Sequence, residues 1–410
     1  MISPKKLLLL SAGVFSATQA SARLYNYEDM PVGTRSAGLG NTGVAILDDV
    51  AGIYYNPAAL GWAQGDQLSA GVSAYSRIDT RTGAYVSLFK SAADNVTRGG
   101  FLSVPSVVGG FFKKHDWVLG GAVFVPTAFV NSGTIDLETD SRASYESFIE
   151  DIWISGFAST PIDAKNSIGF GMYYVSRTAS EKFSYVSKVS DVVQIEFIEK
   201  TWDVSGFTAI LGYSRKESET LTWGASVRLP VLPFGSRGTL SNTESGSSDL
   251  NSADFKPRGY PMPARFSGGF SYSWREGRTF AMDLHIYTPM KMNLHPDNLS
   301  EFSIDLRSVP SLHFGYEHFL KKSFGVRVGY YTNMSAARGL PKGLSAIHDK
   351  VNMYGATATL VFAKDSGEVS LGGWAQGGQG RSYSVDPTKT GDVPRSNYFY
   401  GGVVASSYRF

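Results

Sequence analysis

The chain has 410 residues, with 38 Lys and Arg against 36 Asp and Glu, 45 glycines and no cysteine. This balanced charge argues against nucleic-acid binding, which needs a basic patch, and the lack of cysteine excludes disulfides and thiolate metal sites. Charged residues make up only 18% of the chain and aromatic residues 13%. Such a composition is typical of many strands and turns with wide apolar faces.

The N-terminus has the three parts of an export signal. Residues 1–6 carry two lysines, residues 7–17 are an apolar core, and residues 20–22 read Ala-Ser-Ala, a cleavage pattern. We predict a signal peptide over residues 1–22, with an uncleaved anchor as the alternative. No later run reaches the roughly 18 apolar residues of a transmembrane helix. The sequence thus favours either a secreted protein or an outer-membrane barrel.

Large apolar residues alternate with small or polar ones in about 14 segments, which predicts strands with one apolar and one polar face. Phe280, Met282, Leu284 and Ile286 show the pattern. Most segments reach the roughly 9–11 residues of a tilted membrane-spanning strand, and an even number suits a bacterial barrel. The segments lie near 67–78, 101–113, 117–128, 146–160, 166–180, 200–215, 219–230, 262–275, 279–289, 309–320, 323–332, 349–363, 367–377 and 396–410.

The connections alternate between short charged turns and long polar segments. Outer-membrane barrels have short periplasmic turns and long extracellular loops, whereas a secreted β-sandwich has no reason to keep its long loops at one end. A last strand ending in Phe410 resembles the strand that outer-membrane assembly machinery recognises. We therefore predict an all-β fold: an antiparallel transmembrane β-barrel of about 14 strands over residues 67–410. Residues 236–254 are predicted to be a mobile extracellular loop.

Residues 23–66 are predicted to be an N-terminal hatch that plugs the barrel. They are rich in small residues and include an Asn56-Pro57-Ala58 turn. Fourteen strands would leave a hole intermediate between a side-chain-filled interior and an aqueous channel, and a segment of this length suits it. Residues 38–43 match G-x-G-x-x-G, but they lack the preceding strand of a dinucleotide site; no cofactor is predicted. Asp48 and Asp49 are predicted to fix the hatch.

Residues 35–60, with the Asn56-Pro57-Ala58 motif, resemble the hatch of the FadL-type long-chain fatty-acid transporters and their aromatic-hydrocarbon relatives. The resemblance implies a signal peptide, this hatch and a 14-stranded barrel. It also implies a docking groove in two extracellular loops, which correspond to residues 181–199 and 231–261. A kinked third strand would open a lateral exit, and Gly120, Gly121 and Pro126 lie in that strand. The β-branched residues of 181–199 suit strand extensions as well as helices.

The polar face of the strands should point into the lumen, where charged residues either pair with each other or meet a ligand. The resemblance implies a cationic pocket, and a buried carboxylate needs a partner such as Arg. Arg228, Arg265, His285 and Arg327 are the candidate ligand-binding residues, with Arg265 or Arg327 favoured for a carboxylate. The lumen-facing set is Arg228, Arg265, Asp283, His285, His313, Glu317 and Arg327.

No enzyme and no metal site are predicted. The chain has no G-x-S-x-G nucleophile elbow, and its six histidines are scattered. His313 and His318 fall on opposite faces of one predicted strand, so they cannot form a metal pair.

The predicted function is passive uptake of long-chain fatty acids or other hydrophobic compounds across the outer membrane. The protein would be a monomer embedded in outer-membrane lipid, and a hatch movement at Asn56, Pro57 and Ala58 would gate it. The alternative is a FadL-like scaffold that does not transport and serves surface-protein secretion or adhesion, because fold alone does not fix function.

Overall fold

A computed structural model describes residues 25–47, 49–82, 97–99, 102–137, 141–189, 192–244, 251–275, 277–297, 303–340, 349–383 and 392–410. The predicted signal peptide over residues 1–22 lies outside these ranges, and so does Asp48. Across the described residues, no helix is long and apolar enough to cross a membrane.

Fourteen antiparallel strands of the described chain form one closed sheet, as the alternating segments predict, and Met290–Asn293 pairs with Ser303–Leu306 in a separate two-stranded sheet. Three of the fourteen strands consist of two pieces each. Both pieces of such a strand pair with the same neighbouring strand. The first seven are β1 Gln67–Thr82, β2 Thr97–Gly99 and Leu102–Lys114, β3 Trp117–Leu137, β4 Ser141–Pro161, β5 Asn166–Val189, β6 Val192–Lys216, and β7 Leu221–Arg228 and Leu232–Glu244. The others are β8 Asn251–Phe255 and Arg265–Arg275, β9 Arg278–Tyr287, β10 Val309–Lys321, β11 Phe324–Asn333, β12 Asp349–Lys364, β13 Gly367–Tyr383 and β14 Asp392–Arg409.

Each strand pairs with the next along the chain, and β14 pairs back to β1 from Gln67↔Arg409 to Thr82↔Arg395. This closure pairs the edges that the first and last strands would otherwise expose. Six connections, from β2–β3 to β12–β13, are two to four residues long and lie at one end of the barrel. The predicted alternation of short turns and long loops is therefore confirmed for these connections.

The two faces of the wall differ as predicted. Along β9, the side chains alternate between buried and more exposed positions. Leu284 and Ile286 are exposed, while Asp283, His285 and Tyr287 are almost completely buried. The side chains that alternate in polarity along each strand therefore form an apolar outer surface and a polar inner surface.

The N-terminal segment, described over residues 25–47 and 49–66, lies inside the barrel. It contains two short helices, α1 Arg35–Gly38 and α2 Gly52–Tyr55, and a 3₁₀ turn at Pro57–Leu60. Nearly all of it is buried. Asp49 holds the segment's own fold, because its carboxylate accepts hydrogen bonds from Thr34 Oγ1 at 3.0 Å and from the backbone N–H of Ser36 at 2.8 Å.

The long-loop end differs from two expectations. Residues 181–189 and 192–199 are the paired ends of β5 and β6, which are 24 and 25 residues long and pair as far as Val189↔Val192. The predicted loop over 236–254 is wrong where it is described, because residues 236–244 and 251–254 are strand. Polar residues can form strands here because pairing with β6 satisfies their backbone groups.

The ladder between β2 and β3 is interrupted. It runs from Lys114↔Trp117 to Val107↔Phe124, then resumes at residues 98–99 with 131–132. Among the described residues, 102–106 of β2 have no partner on β3. On its other side, β3 shifts register against β4 between Phe124 and Thr127. Pro126, which has no N–H to donate, lies in this shift, whereas Gly120 and Gly121 lie in the regular ladder.

Candidate functional site

The Asn56-Pro57-Ala58 turn anchors the N-terminal segment to the barrel wall. The side-chain amide of Asn56 donates to the carbonyl of Val44 at 2.7 Å and to that of Tyr213 on β6 at 3.0 Å. Its oxygen accepts from the N–H of Ala58 at 3.1 Å. Pro57 begins the 3₁₀ turn, where its fixed φ and missing N–H are tolerated. The motif therefore joins two stretches of the segment to one strand, and its gating role stays a prediction.

Glycines in the wall let this turn approach the strands closely. A Cβ at Gly212 of β6 would lie 2.0 Å from Asn56 Oδ1, and one at Gly169 of β5 would lie 2.4 Å from the N of Ala58. A second close approach joins Gly40, with φ +65°, to Gly329 of β11, where a Cβ would lie 2.0 Å from the N of Gly40. Larger side chains at these wall positions would push the segment inward.

Arg327 belongs to a closed network of charges. Its Nε donates to Glu317 at 2.6 Å, and its two terminal nitrogens donate to Glu368 at 2.6 and 2.8 Å. Arg35 of the N-terminal segment binds the same Glu317 with both Nε and Nη2, at 3.1 and 2.6 Å. Two arginines and two carboxylates thus neutralise each other. The network leaves Arg327 little capacity to bind a ligand.

Arg228 and Arg265 are in a different situation. They lie directly opposite each other on β7 and β8, and they are only 2% and 1% exposed. Arg265 Nη2 donates to the carbonyl of Tyr54 at 3.0 Å. The other buried donors, Nε of both arginines and Nη1 of Arg265, have no hydrogen-bond partner, and neither arginine forms an ion pair with a described residue.

This arrangement is costly unless a ligand compensates it. Like charges directly opposite each other destabilise a sheet, and each unsatisfied buried donor costs about 1–3 kcal/mol. A ligand that carries a negative charge or strong acceptors would satisfy both arginines. The pair therefore has the chemistry of an anion-binding site.

Aromatic rings surround the pair. The guanidinium carbon of Arg265 lies 5.2 Å from the ring centre of Tyr54, and that of Arg228 lies 5.5 Å from Trp153. Tyr54 in turn packs against Phe124 and Trp153 at 5.5 Å. Cations beside a continuous aromatic surface suit a molecule with one polar and one apolar end.

A small cavity of about 20 Å³, roughly the room that one water molecule needs, lies between the N-terminal segment and this wall. Arg228, Tyr27 and Tyr54 line it on one side, and Pro126 of β3 lines it next to the interrupted ladder. Arg177 also faces it but is neutralised by Asp151 through two hydrogen bonds of 2.6 Å. Among the described cavity-lining cations, Arg228 is thus the one without an acidic partner.

Two features of this region were not predicted from the sequence. The Arg177–Asp151 pair joins neighbouring strands β4 and β5, and its alternating positions could have indicated it. Met262 stands at the start of the predicted strand 262–275, but it precedes the strand piece Arg265–Arg275 and lines the cavity. His285 lies deeper, beside Glu28 and His313 rather than at the cavity.

Comparison of the sequence with protein-family models gives no match, and comparison with curated proteins gives none. Solved structures do match. A Pseudomonas aeruginosa FadL homologue aligns with a TM-score of 0.69 at 13% identity, over 93% of this chain and 100% of that one. The P. putida toluene transporter TodX aligns with a TM-score of 0.66 at 14% identity, over 94% and 99%. The Ralstonia pickettii toluene transporter TbuX aligns with a TM-score of 0.59 at 15% identity, over 94% and 99%.

These alignments span almost the whole of both chains. At this level of identity they establish the architecture and not the substrate. The resemblance that residues 35–60 carry is thereby confirmed for the fold. The chain has the fold of the FadL-type channels, a 14-stranded barrel closed around an N-terminal segment.

Proposed function

We propose that the protein is a monomeric outer-membrane channel for the passive uptake of hydrophobic compounds, with long-chain fatty acids as its substrate class. The uptake role is supported by the similarity to TodX, a toluene transporter, and to CymD, a monoaromatic hydrocarbon channel. The choice of fatty acids rests on one observation, the buried and unpaired Arg228 and Arg265. A carboxylate can accept hydrogen bonds from both arginines, whereas toluene offers them no acceptor.

The proposed path starts at the long-loop end and reaches the cavity beside Arg228. The carboxylate would bind between Arg228 and Arg265, and the hydrocarbon chain would pack on Tyr27 and Tyr54, the aromatic residues that line the cavity. Release would follow a movement of the N-terminal segment near Asn56. The interrupted β2–β3 ladder beside Pro126 is the proposed exit towards the lipid, because few backbone hydrogen bonds have to be broken there.

The test compares uptake of a labelled long-chain fatty acid and of toluene in cells that lack their own carriers. We expect the wild-type protein to accelerate both, and Arg228→Met to reduce fatty-acid uptake about 10- to 100-fold, the equivalent of one charged hydrogen bond of about 1.5–3 kcal/mol. Toluene uptake should stay unchanged in this variant. Arg237→Met is the matched control, because that side chain is 84% exposed at the long-loop end.

If cells that express the wild-type protein at a normal surface level take up both compounds no faster than cells without it, the transport proposal is refuted. Together with a co-purifying surface protein, that result would support the alternative scaffold role. Equal losses of fatty acid and toluene in Arg228→Met would leave transport intact but refute the assignment of a carboxylate site.

A further inference from the structure

Three metal-ligating side chains that are distant in sequence meet inside the barrel. One ligand atom each of Glu28, His285 and His313 lies within 4.8 Å of the other two. The three residues are 5%, 0% and 0% exposed. His285 on β9 pairs with Ser311, and His313 on β10 pairs with Asp283. Each histidine is therefore two positions from the residue opposite the other histidine, and both side chains lie on the same face of the sheet. Glu28 comes from the N-terminal segment.

The hydrogen bonds of His313 aim a lone pair at Glu28. Its Nδ1 lies 2.8 Å from the carbonyl of Gly40, which can only accept, so Nδ1 carries the hydrogen. In the neutral ring, Nε2 then has a lone pair, 3.7 Å from Glu28 Oε1. Ser311 Oγ is also 2.9 Å from Nε2 and donates its single hydrogen to the carbonyl of Thr332, so the hydroxyl turns an oxygen lone pair towards the same site. Three electron-rich atoms therefore converge, and a cation between them would stabilise the cluster.

In His285, too, a hydrogen bond occupies one ring nitrogen and leaves the other without a partner. Its Nδ1 is held by Ser267 Oγ at 2.8 Å, and its Nε2 is buried with no hydrogen-bond partner. The ring centre lies 4.7 Å from that of His313. An imidazole with one nitrogen fixed by a hydrogen bond and the other one free is the usual state of a metal-ligating histidine. The hydroxyl of Tyr287 also binds Glu28 Oε1 and fixes the carboxylate.

We propose that Glu28, His285 and His313 bind a divalent transition-metal ion such as Zn²⁺. Two imidazoles and one carboxylate, with a fourth position for water, are a ligand set that Zn²⁺ takes in proteins. Calcium and magnesium prefer all-oxygen ligands. Because Glu28 lies in the N-terminal segment and both histidines lie in the wall, the ion joins that segment to β9 and β10.

The test uses the full protein, purified in detergent without a polyhistidine tag, stripped with a chelator and titrated with Co²⁺. We expect one ion per chain, the strong visible absorption of tetrahedral Co²⁺, its displacement by Zn²⁺, and no displacement by Ca²⁺. Hydrogen exchange in residues 25–32 should slow when the ion binds. His285→Gln and Glu28→Gln should abolish the absorption, while His318→Gln, on the opposite face of β10, should keep it.

Absence of Co²⁺ binding in the folded wild-type protein would overturn the proposal and indicate that a proton on His313 balances the cluster. Equal Co²⁺ binding by the His285→Gln and His318→Gln variants would overturn it as well, because the ion would then bind at another site. Heat-modifiable migration in gels would confirm that each variant barrel is folded. Glu28→Gln keeps an acceptor for Tyr287 and serves as the second variant if His285→Gln fails to fold.

Discussion

Replacing Asn56 by alanine should release the Asn56-Pro57-Ala58 turn without opening the barrel. The substitution removes three hydrogen bonds from a fully buried side chain, to Val44, Tyr213 and Ala58. At about 1 kcal/mol for each bond, the N-terminal segment loses about 3 kcal/mol. This difference raises the population in which the segment is locally detached about 100-fold, while the strand ladders do not depend on the side chain.

Hydrogen exchange followed by mass spectrometry measures this change directly. Peptides covering residues 43–60 should exchange about 100-fold faster in Asn56→Ala, and peptides of β12 should exchange as in the wild type. Gln64→Ala is the matched control, because this amide belongs to the same segment but is exposed. Unchanged exchange over residues 43–60, or equal acceleration in β12, would refute the view that Asn56 anchors the segment locally.

Two further substitutions test the contacts between the segment and the wall. Gly212→Ala should make the N-terminal segment sensitive to protease, because the new Cβ would lie 2.0 Å from the amide oxygen of the motif; Gly268→Ala, with no atom within 4 Å, should behave as the wild type. Glu317→Gln should destabilise the protein by about 3–5 kcal/mol, because it leaves Arg35 and Arg327 without their shared carboxylate. Thermal unfolding measures that loss, and an unchanged Tm would show that the network carries no stability.

The barrel could be predicted from the sequence because each strand separates two different environments. Apolar and polar side chains alternate along a strand, as in residues 280–286, because one face of the wall is apolar and the other is polar. The strand ends could not be predicted. Residues 236–244 are polar on both faces except for Leu240. Backbone pairing with β6 holds their strand, and such pairing leaves no pattern in side-chain polarity.

The candidate site could be predicted only in part. Alternation places Arg228, Arg265, His285 and Arg327 on the inner face, and all four are buried there. Their partners depend on the register between strands and on the fold of the N-terminal segment, which no periodicity encodes. For that reason the neutralised Arg327 and the unpaired Arg228 look alike in the sequence. Glu28 gave no signal, because it stands in a polar stretch before the first helix.

Binding of a long-chain fatty acid to the purified protein tests the central claim, that Arg228 and Arg265 hold the carboxylate of the substrate. Arg228→Met keeps much of the side-chain volume and removes a buried charge that has no ion-pair partner, so the barrel should remain folded. We predict that Kd rises about 10- to 100-fold in Arg228→Met and stays unchanged in Arg237→Met. A folded Arg228→Met variant with wild-type affinity would contradict the account.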